Sequence, residues 1–342
     1  MTEKVLVTGG NGFLALHIIK QLLEANYSVR ATLRSLNKKE EVLQTLKFHE
    51  VPNLDRLSFV QADLTRDDNW STAMAGITYV MSVAAPVFVN GKTATKDVAR
   101  AATDGTLRIL KAAVTSNVKR VIMTANLGAV GFSNKNQQHT TTEADWTDPN
   151  ESGLSLYEKS KLIAEKSAWN YLKKTNSTLE FVTVNAGAML GGALDDHVSG
   201  SFGIVRNLIN GTVKRIPNIK MNIVDVRDVA DIHIRAMQTS AAAGKRFLAV
   251  GDKPISMPEI AALIKTHRPK LVAKIPTRTL PNWIIRIGSH FNQQAKEGRL
   301  FLEVNHNVSN QRAKTLLGWQ PIGSNQETIL NTVDSLIRAN QI

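Results

Sequence analysis

The chain has 342 residues, of which 43% are hydrophobic and 21% charged, as in an ordinary soluble globular protein with one large domain or two modest ones. The lack of cysteine excludes disulfides and thiolate metal sites, and no apolar run reaches the ~18 residues of a membrane span. Lysine and arginine outnumber the acids by 42 to 29, but they are dispersed, so we expect a solvated basic surface and neither a nucleic-acid nor a membrane partner. Because the first strand starts almost at Met1, we expect no signal peptide and a cytoplasmic protein.

The first element is a short apolar strand, followed by a glycine turn and an amphipathic helix. Gly9, Gly12 and Ala15 have the spacing G-x-x-G-x-x-A. Such glycines let the backbone approach a pyrophosphate, the helix N-terminus supplies N–H groups and a positive dipole, and the small third residue allows close helix–strand packing. The pattern predicts a dinucleotide site. Its expected contacts are Thr8, Gly9, Asn11, Gly12, Phe13 and Leu14.

Strand-like and helix-like segments then alternate along the first half of the chain. The predicted strands are 27–33, 57–62, 78–85, 120–124 and 179–184, and the predicted helices are 38–47, 68–74, 95–116 and 156–173. Strands separated by helices of this length predict an α/β fold, a doubly wound parallel sheet of the Rossmann type.

The second half of the chain is less regular. Residues 224–238 and 246–250 predict one more helix and strand of the sheet, whereas 188–221 and 251–305 are interrupted by prolines. We therefore assign 1–187 and 222–250 to a nucleotide-binding domain, and 188–221 and 251–342 to a smaller substrate-binding cap with C-terminal helices. In such folds the ligand crevice lies at the carboxyl ends of the strands, which would face this cap.

Tyr157 and Lys161 are four residues apart on a predicted helix, so they project from one face. An ammonium beside a phenol favours the phenolate and lowers the tyrosine pKa from its usual ~10. Such a phenol can pass a proton to a carbonyl oxygen while a nicotinamide delivers hydride to the carbon. The spacing also occurs by chance in many helices, but together with the glycine turn it favours a catalytic pair.

In combination, residues 8–15 and 157–161 resemble the extended short-chain dehydrogenase/reductases. The chain is most similar to the branch that holds dihydroflavonol reductase, cinnamoyl-CoA reductase and fungal methylglyoxal-type carbonyl reductases, and the resemblance covers nearly the whole chain. It implies NADP(H) as cofactor, a small-molecule carbonyl substrate, Tyr157 as the acid, and Lys161 as the residue that tunes it and holds the nicotinamide ribose. Segments 62–64 and 83–86 also resemble the family, which implies cofactor contacts from Asp63, Leu64, Ala84 and Ala85.

Two segments depart from the family pattern. The fifth strand ends in Thr124, Ala125 and Asn126, where a serine is usual at the last position and hydrogen-bonds the substrate carbonyl. Asn126 can donate through its amide but cannot join a hydroxyl proton relay. Alternation along the strand places Thr124 and Asn126 on the same side, so Thr124 is the competing candidate for polarising the carbonyl. We also expect Thr124 to contact the cofactor.

The second departure follows the sixth strand, where Asn185-Ala186-Gly187 replaces the usual Asn-Pro pair. That turn abuts the nicotinamide in the family, which implies cofactor contacts from Asn185, Gly187 and Ala188. Without the proline we expect a more mobile backbone here.

The second strand ends without the acidic residue that binds the adenosine ribose in NAD-using relatives. Arg34 stands there instead, and its guanidinium can bind a 2′-phosphate with help from Lys38. We therefore expect NADPH to be preferred over NADH.

Apolar residues of the predicted cap favour a hydrophobic carbonyl substrate. The expected substrate contacts are Phe88, Asn126, Leu127, Met189 and Leu190. No histidine pair has metal-ligand spacing, so we expect no metal, and segment 195–197 is interpreted as a solvated loop. Two alternatives stay open: a nucleotide-sugar epimerase-like enzyme, and a non-catalytic NADP-binding sensor. The sequence does not indicate an oligomeric partner.

Overall fold

The computed structural model describes residues 3–84 and 96–342. The strands of this part of the chain are β1 (Lys4–Val7), β2 (Ser28–Leu33), β3 (Leu57–Gln61), β4 (Tyr79–Ser82), β5 (Arg120–Asn126), β6 (Glu180–Ala186), β7 (Ala188–Leu190), β8 (Ile216–Pro217), β9 (Lys220–Met221), β10 (Ile223–Asp225), β11 (Arg246–Ala249), β12 (Ile255–Ser256) and β13 (Thr279–Leu280). The helices are α1 (Phe13–Glu24), α2 (Lys39–Phe48), α3 (Trp70–Met74), α4 (Lys96–Thr115), α5 (Leu156–Thr175), α6 (Gly203–Ile209), α7 (Val226–Gln238), α8 (Met257–His267), α9 (Asn282–Gly288), α10 (Gln293–Glu303), α11 (Gln311–Leu317) and α12 (Asn325–Arg338).

Seven strands form a parallel sheet in the order β11-β6-β5-β4-β1-β2-β3. The predicted doubly wound α/β fold is confirmed, and the late strand over 246–250 is β11 at one edge. The strand order changes direction between β1 and β4, so the crevice for a ligand lies at the carboxyl ends of these strands. Val5, Leu6 and Val7 of β1 are wholly buried, as expected for a strand covered on both faces.

Helices cover both faces of the sheet. On one face α1 and α7 pack side by side, and Ile18, Leu22 and Ile232 are buried there. On the other face α4 packs against α5, with Leu110 and Ala168 buried in a second cluster. The two layers hold the strand ends rigidly, so side chains at the carboxyl edge have defined positions.

The rest of the chain forms three short two-stranded pairs, β10-β7, β12-β9 and β13-β8, with helices around them. Strand β7 lies in the predicted cap, but it pairs in parallel with β10 from the segment that we assigned to the nucleotide-binding domain. This pairing brings residues from both sides of the predicted boundary together beside the carboxyl edge. Among the described residues, no helix is both long and apolar enough to cross a membrane.

Candidate active site

The glycine turn after β1 is pressed against the neighbouring chain segments. The N–H of Gly9 donates to the Thr32 hydroxyl at 3.0 Å, and that of Gly10 to the Thr32 carbonyl at 2.8 Å. A Cβ at Gly10 would lie 2.6 Å from the Ala31 Cβ, closer than real contacts allow. Gly9 has a φ of +67°, and a Cβ there would lie 3.0 Å from the Ala84 Cβ. Only glycine fits at these two positions. Without side chains, the backbone of the turn can lie close to a ligand.

Helix α1 begins directly after this turn. Gly12 is its N-cap residue, no side chain caps the first turn, and that turn contains no acid. Asn11 and Gly12 are partly exposed, whereas the side chains of Phe13 and Leu14 are buried. The first turn of the helix thus has no side-chain cap, which is the arrangement that an anion site at a helix N-terminus requires.

Thr8 links the glycine turn to the segment after β4. It is wholly buried, and its hydroxyl oxygen accepts from the N–H groups of Val83 and Ala84, both at 2.9 Å. Thr8 thus fixes the backbone of two residues in the segment that is predicted to contact the cofactor. Ala85 and Phe88, predicted to contact cofactor and substrate, lie outside the described residues.

Arg34 and Lys38, the cations predicted for a 2′-phosphate, differ in their surroundings. Both are exposed. Lys38 forms an ion pair with Glu41 at 2.6 Å. The guanidinium of Arg34 has no hydrogen bond or ion pair to any described residue. Of the two, Arg34 is the cation free to bind an anion.

Asp63 and Leu64 follow β3. The carboxylate of Asp63 accepts from the N–H and the hydroxyl of Thr65 at 2.8 and 2.9 Å, and these bonds lower the pKa of Asp63. Leu64 is half-buried, and its Cβ lies 3.1 Å from the position of a Cβ at Gly105 of α4. The Asp63 carboxylate is therefore charged and fixed at the carboxyl edge of the sheet.

Asn126 and Tyr157 are hydrogen-bonded side chain to side chain. Asn126 is the last residue of β5, and its Oδ1 accepts from the N–H of Gly128 at 2.6 Å, which caps the 3-10 turn that follows. The bond to Asn126 lowers the pKa of Tyr157, as a donor to the phenolate does, so we assign it to the amide NH₂. Tyr157 lies in the first turn of α5, where a capping box of Ser155 and Glu158 starts the helix.

The electrostatics of Tyr157 differ from the sequence-based expectation. Tyr157 as a residue is 42% exposed, but desolvation of its phenol raises the pKa of that group, the charge of Glu158 raises it further, and the hydrogen bond from Asn126 acts in the opposite direction. Lys161 lies on the same helix face with its Nζ 6.0 Å from the centre of the Tyr157 ring. Burial lowers the pKa of Lys161 to about 8. Lys161 is not among the groups that shift the pKa of Tyr157, so the predicted lowering of the phenol pKa by Lys161 is not seen in this structure.

Thr124, the competing candidate for polarising a carbonyl, is hydrogen-bonded elsewhere. It is 7% exposed, and its hydroxyl lies 2.8 Å from Nε2 of His233 on α7. His233 donates from Nδ1 to the Val229 carbonyl at 2.7 Å, and burial lowers its pKa to about 4. The neutral ring therefore carries its proton on Nδ1, and Nε2 accepts the hydroxyl proton of Thr124. Thr124 has no proton left to donate to a substrate.

A buried polar network behind the site was missed by the sequence analysis. Asn185 donates to Glu165 at 2.7 Å and to the backbone carbonyl of Asn126 at 3.3 Å. Glu165 is wholly buried and pairs with Arg246 of β11 at 2.9 Å. Glu165 lies four residues after Lys161 on the same face of α5. This spacing could have indicated from the sequence that Glu165 lies behind the site. The network anchors the end of β5, and it occupies the amide of Asn185.

The turn after β6 is firmly held, in contrast to the expected mobile backbone. The N–H of Gly187 donates to the Ala249 carbonyl at 3.0 Å, and that of Ala188 to the Asn222 carbonyl at 2.9 Å. A Cβ at Gly187 would lie 2.4 Å from the Asn222 carbonyl oxygen. Glycine and two backbone hydrogen bonds therefore hold the turn that we expected to loosen without proline.

The predicted substrate contacts fall into two groups. Leu127 and Leu190 are 6% and 0% exposed and belong to hydrophobic clusters, so they support the site from within the core. Met189 and Asn126 are partly exposed. The structure therefore offers Met189, and not Leu190, as an accessible apolar side chain of this segment.

Segment 195–197 contacts α2. Nδ1 of His197 lies 3.0 Å from the Asp195 carboxylate and 3.7 Å from that of Glu41. These ligand-type atoms lie within 4.8 Å of one another, but Glu41 also pairs with Lys38. Hydrogen bonds and close polar contacts among these side chains join the segment to α2.

The comparisons with known proteins agree with this geometry. The model of the NAD dependent epimerase/dehydratase family matches residues 5–251. Anthocyanidin reductase ((2S)-flavan-3-ol-forming) of Vitis vinifera is 30% identical over 289 residues, 79% of this chain and 82% of the relative. Cinnamoyl-CoA reductase CAD2 of Medicago truncatula is 29% identical over 272 residues, 78% of this chain and 81% of the relative.

Solved structures are similar over the full length. Yeast methylglyoxal/isovaleraldehyde reductase Gre2 complexed with NADPH has a TM-score of 0.81 and 25% identity, covering 99% of this chain and 100% of that chain. The resemblance carried by residues 8–15 and 157–161 is thereby confirmed. The chain belongs to the NAD dependent epimerase/dehydratase family, among the extended short-chain dehydrogenase/reductases whose members include these reductases.

Proposed function

We propose that the protein is an NADPH-dependent reductase that converts aldehydes or ketones to alcohols. The observation that carries the proposal is the pairing of Asn126 and Tyr157 at the carboxyl edge of the sheet. Two hydrogen-bond donors, an amide and a phenol, meet there beside Lys161. A carbonyl oxygen between them would be polarised and protonated at one place.

The described residues fit a dinucleotide. The glycine turn is a cradle that a Cβ would fill, and the uncapped start of α1 suits a pyrophosphate. Asp63 lies at the carboxyl edge of the sheet, where the resemblance would place the adenine, and the Thr8 hydroxyl holds the backbone of Val83 and Ala84, which would contact the cofactor. When bound, NADPH supplies the hydride that the carbonyl carbon accepts.

Arg34 supports a preference for NADPH over NADH. A guanidinium binds phosphate with two parallel hydrogen bonds. The guanidinium of Arg34 makes no hydrogen bond to a described residue, although its charge acts on the Asp63 carboxylate and lowers the pKa of that group. Lys38 is paired with Glu41, so we assign it the smaller contribution.

The proton is supplied by Tyr157. Its raised pKa keeps the phenol protonated at neutral pH, which suits a group that donates to an oxygen gaining charge. The amide of Asn126 donates to the same oxygen in place of the usual serine. We assign Lys161, which lies one turn further along the same helix face, the role of holding the nicotinamide ribose, as the family resemblance implies.

A substrate panel tests the proposal. We expect the protein to oxidise NADPH in the presence of aldehydes or ketones with apolar substituents, and Tyr157→Phe to abolish most of this turnover while still binding NADPH. Conversion of a nucleotide sugar without net NADPH consumption would support the epimerase alternative. NADPH binding without turnover on any carbonyl compound would support the sensor alternative.

A further inference from the structure

Helix α9 exposes an apolar face to solvent. Its inner side packs on α10, with Ile285 only 7% exposed and in contact with Gly298. Its outer side carries large apolar residues, and another follows the helix end. We call these residues the α9 surface: Trp283, Ile284, Ile287 and Phe291, exposed by 61%, 37%, 55% and 82%.

This arrangement reverses the usual pattern of a surface helix, whose outer face is polar. A Trp or Phe side chain has an area of roughly 150–250 Å², so Trp283 and Phe291 alone leave about 250 Å² of aromatic surface in water. With the two isoleucines the α9 surface reaches the size of the largest apolar patches on ordinary monomers, which are often functional.

The α9 surface lies within a basic segment of the chain. Residues 260–296 contain no aspartate or glutamate, and their lysines and arginines are Lys265, Arg268, Lys270, Lys274, Arg278, Arg286 and Lys296. Lys265 donates to a backbone carbonyl, and Arg268 pairs with Asp334. The other five are exposed and make no ion pair or side-chain hydrogen bond to any described residue. Of these five, Arg286 lies on α9 itself and Lys296 on α10, whose residue Ala295 packs at Gly288, so these two cations lie beside the α9 surface.

We propose that the α9 surface docks the protein on an anionic lipid membrane. Aromatic and aliphatic side chains enter the boundary between headgroups and acyl chains, while neighbouring lysines and arginines bind anionic headgroups. The apolar side chains of the α9 surface match the acyl boundary of the membrane, and the cations of the segment match its anionic headgroups. The expectation of no membrane partner rested on the dispersed distribution of lysine and arginine along the whole chain, which does not show the absence of acids from residues 260–296.

Two other occupants fit the segment less well. A second copy of the chain would pair the same patch with itself and bring the cations of both copies together. A single-stranded nucleic acid binds such a surface by stacking bases on aromatic rings, and Ile284 and Ile287 offer none.

Docking through α9 would also place the candidate active site close to the lipid surface. The side chain of Gln293, at the start of α10, donates to the carbonyl of Leu154 at 3.4 Å, just before α5. The helix that carries Tyr157 therefore starts beside α10, the helix on which α9 packs. An apolar substrate dissolved in the bilayer would have a short path to the site.

Co-sedimentation of the full chain with phosphatidylcholine vesicles, with and without phosphatidylserine, tests the proposal. We expect binding to the anionic vesicles that weakens as salt is raised. Trp283→Gln with Phe291→Ala should weaken it by about tenfold or more, and Arg286→Gln and Lys296→Gln by about fivefold each. The matched controls are Phe48→Ala, which removes an aromatic ring that is 78% exposed on α2, and Lys173→Gln with Lys174→Gln on α5. These should bind as the unchanged protein does.

Three results would overturn the proposal. The first is no binding to anionic vesicles, or binding that the controls weaken equally. The second is a dimer in analytical ultracentrifugation that Trp283→Gln with Phe291→Ala converts to monomer, which would make the surface a self-interface. The third is binding of a single-stranded oligonucleotide that this variant abolishes while vesicle binding is unaffected.

Discussion

Replacing Asn126 by aspartate separates the two hydrogen bonds that this side chain makes. Aspartate has nearly the same shape, and its Oδ1 can still accept from Gly128, so the 3-10 turn stays capped. The NH₂ group that faces Tyr157 becomes a carboxylate oxygen, which cannot donate to a carbonyl. Its negative charge also raises the pKa of Tyr157 further.

The expected loss of turnover follows from the loss of the Asn126 amide as a hydrogen-bond donor. Removing one donor to a developing oxyanion costs ~10²–10³ in turnover, so we expect Asn126→Asp to fall by at least that much while the protein stays folded. Asn126→Ala loses the same donor and also leaves the Gly128 N–H without its cap, which costs about 1 kcal/mol of stability in addition. Asn126→Ser can accept from Gly128 and donate at once, so it should retain activity and admit bulkier ketones.

The control is Thr124→Val. This change removes the hydroxyl that donates to His233 and leaves a buried ring nitrogen unpaired, which costs about 1–3 kcal/mol of stability. Turnover of the folded protein should stay near normal, because Thr124 has no proton available for the substrate. The assay is NADPH oxidation with a short aldehyde, with unfolding curves measured in parallel. Full activity in Asn126→Asp, or a loss in Thr124→Val equal to that in Asn126→Ala, would refute the assignment.

Other predictions concern the remaining parts of the site. Tyr157→Phe should lose ~10²–10⁴-fold in turnover with NADPH affinity intact, whereas Lys161→Ala should lose turnover and affinity together. Titration of NADPH by fluorescence distinguishes the two, and near-normal turnover in Tyr157→Phe would show that Tyr157 is not the proton donor. Arg34→Ala should raise the KM for NADPH about 10–100-fold and leave the KM for NADH unchanged. Lys38→Ala is the control and should have a smaller effect. Equal catalytic efficiency with both coenzymes, before and after the Arg34 change, would contradict the preference for NADPH. Burial holds the pKa of His17 and His233 at about 4 in the folded chain, below the ~6.5 of the unfolded state. The unfolded chain therefore binds protons first, and stability should be full above pH ~6.5 and fall as the pH drops toward ~4, by about 2 kcal/mol per histidine at pH ~5. Urea unfolding at neutral and acidic pH measures the free energy of unfolding, and His233→Gln should make it depend less on pH. A free energy of unfolding that does not change with pH would show that neither ring is held neutral.

Local patterns in the sequence determined much of this protein. The glycine spacing from Gly9 to Ala15 depends on one turn and the start of one helix, and the four-residue spacing of Tyr157 and Lys161 depends only on the period of a helix. The alternation of strands and helices likewise predicted the parallel sheet. These features were predictable because each rests on backbone geometry within a few residues.

Only the tertiary structure decided which hydrogen bonds the polar side chains at the carboxyl edge of the sheet make. The sequence placed Thr124 and Asn126 on one side of a strand, but it could not show that His233, 109 residues later, takes the proton of Thr124. Nor could it show that Glu165 and Asn185 brace the end of β5. A hydrogen bond depends on distances of a few tenths of an ångström between groups far apart in the chain, and only the packed helices and strands set those distances.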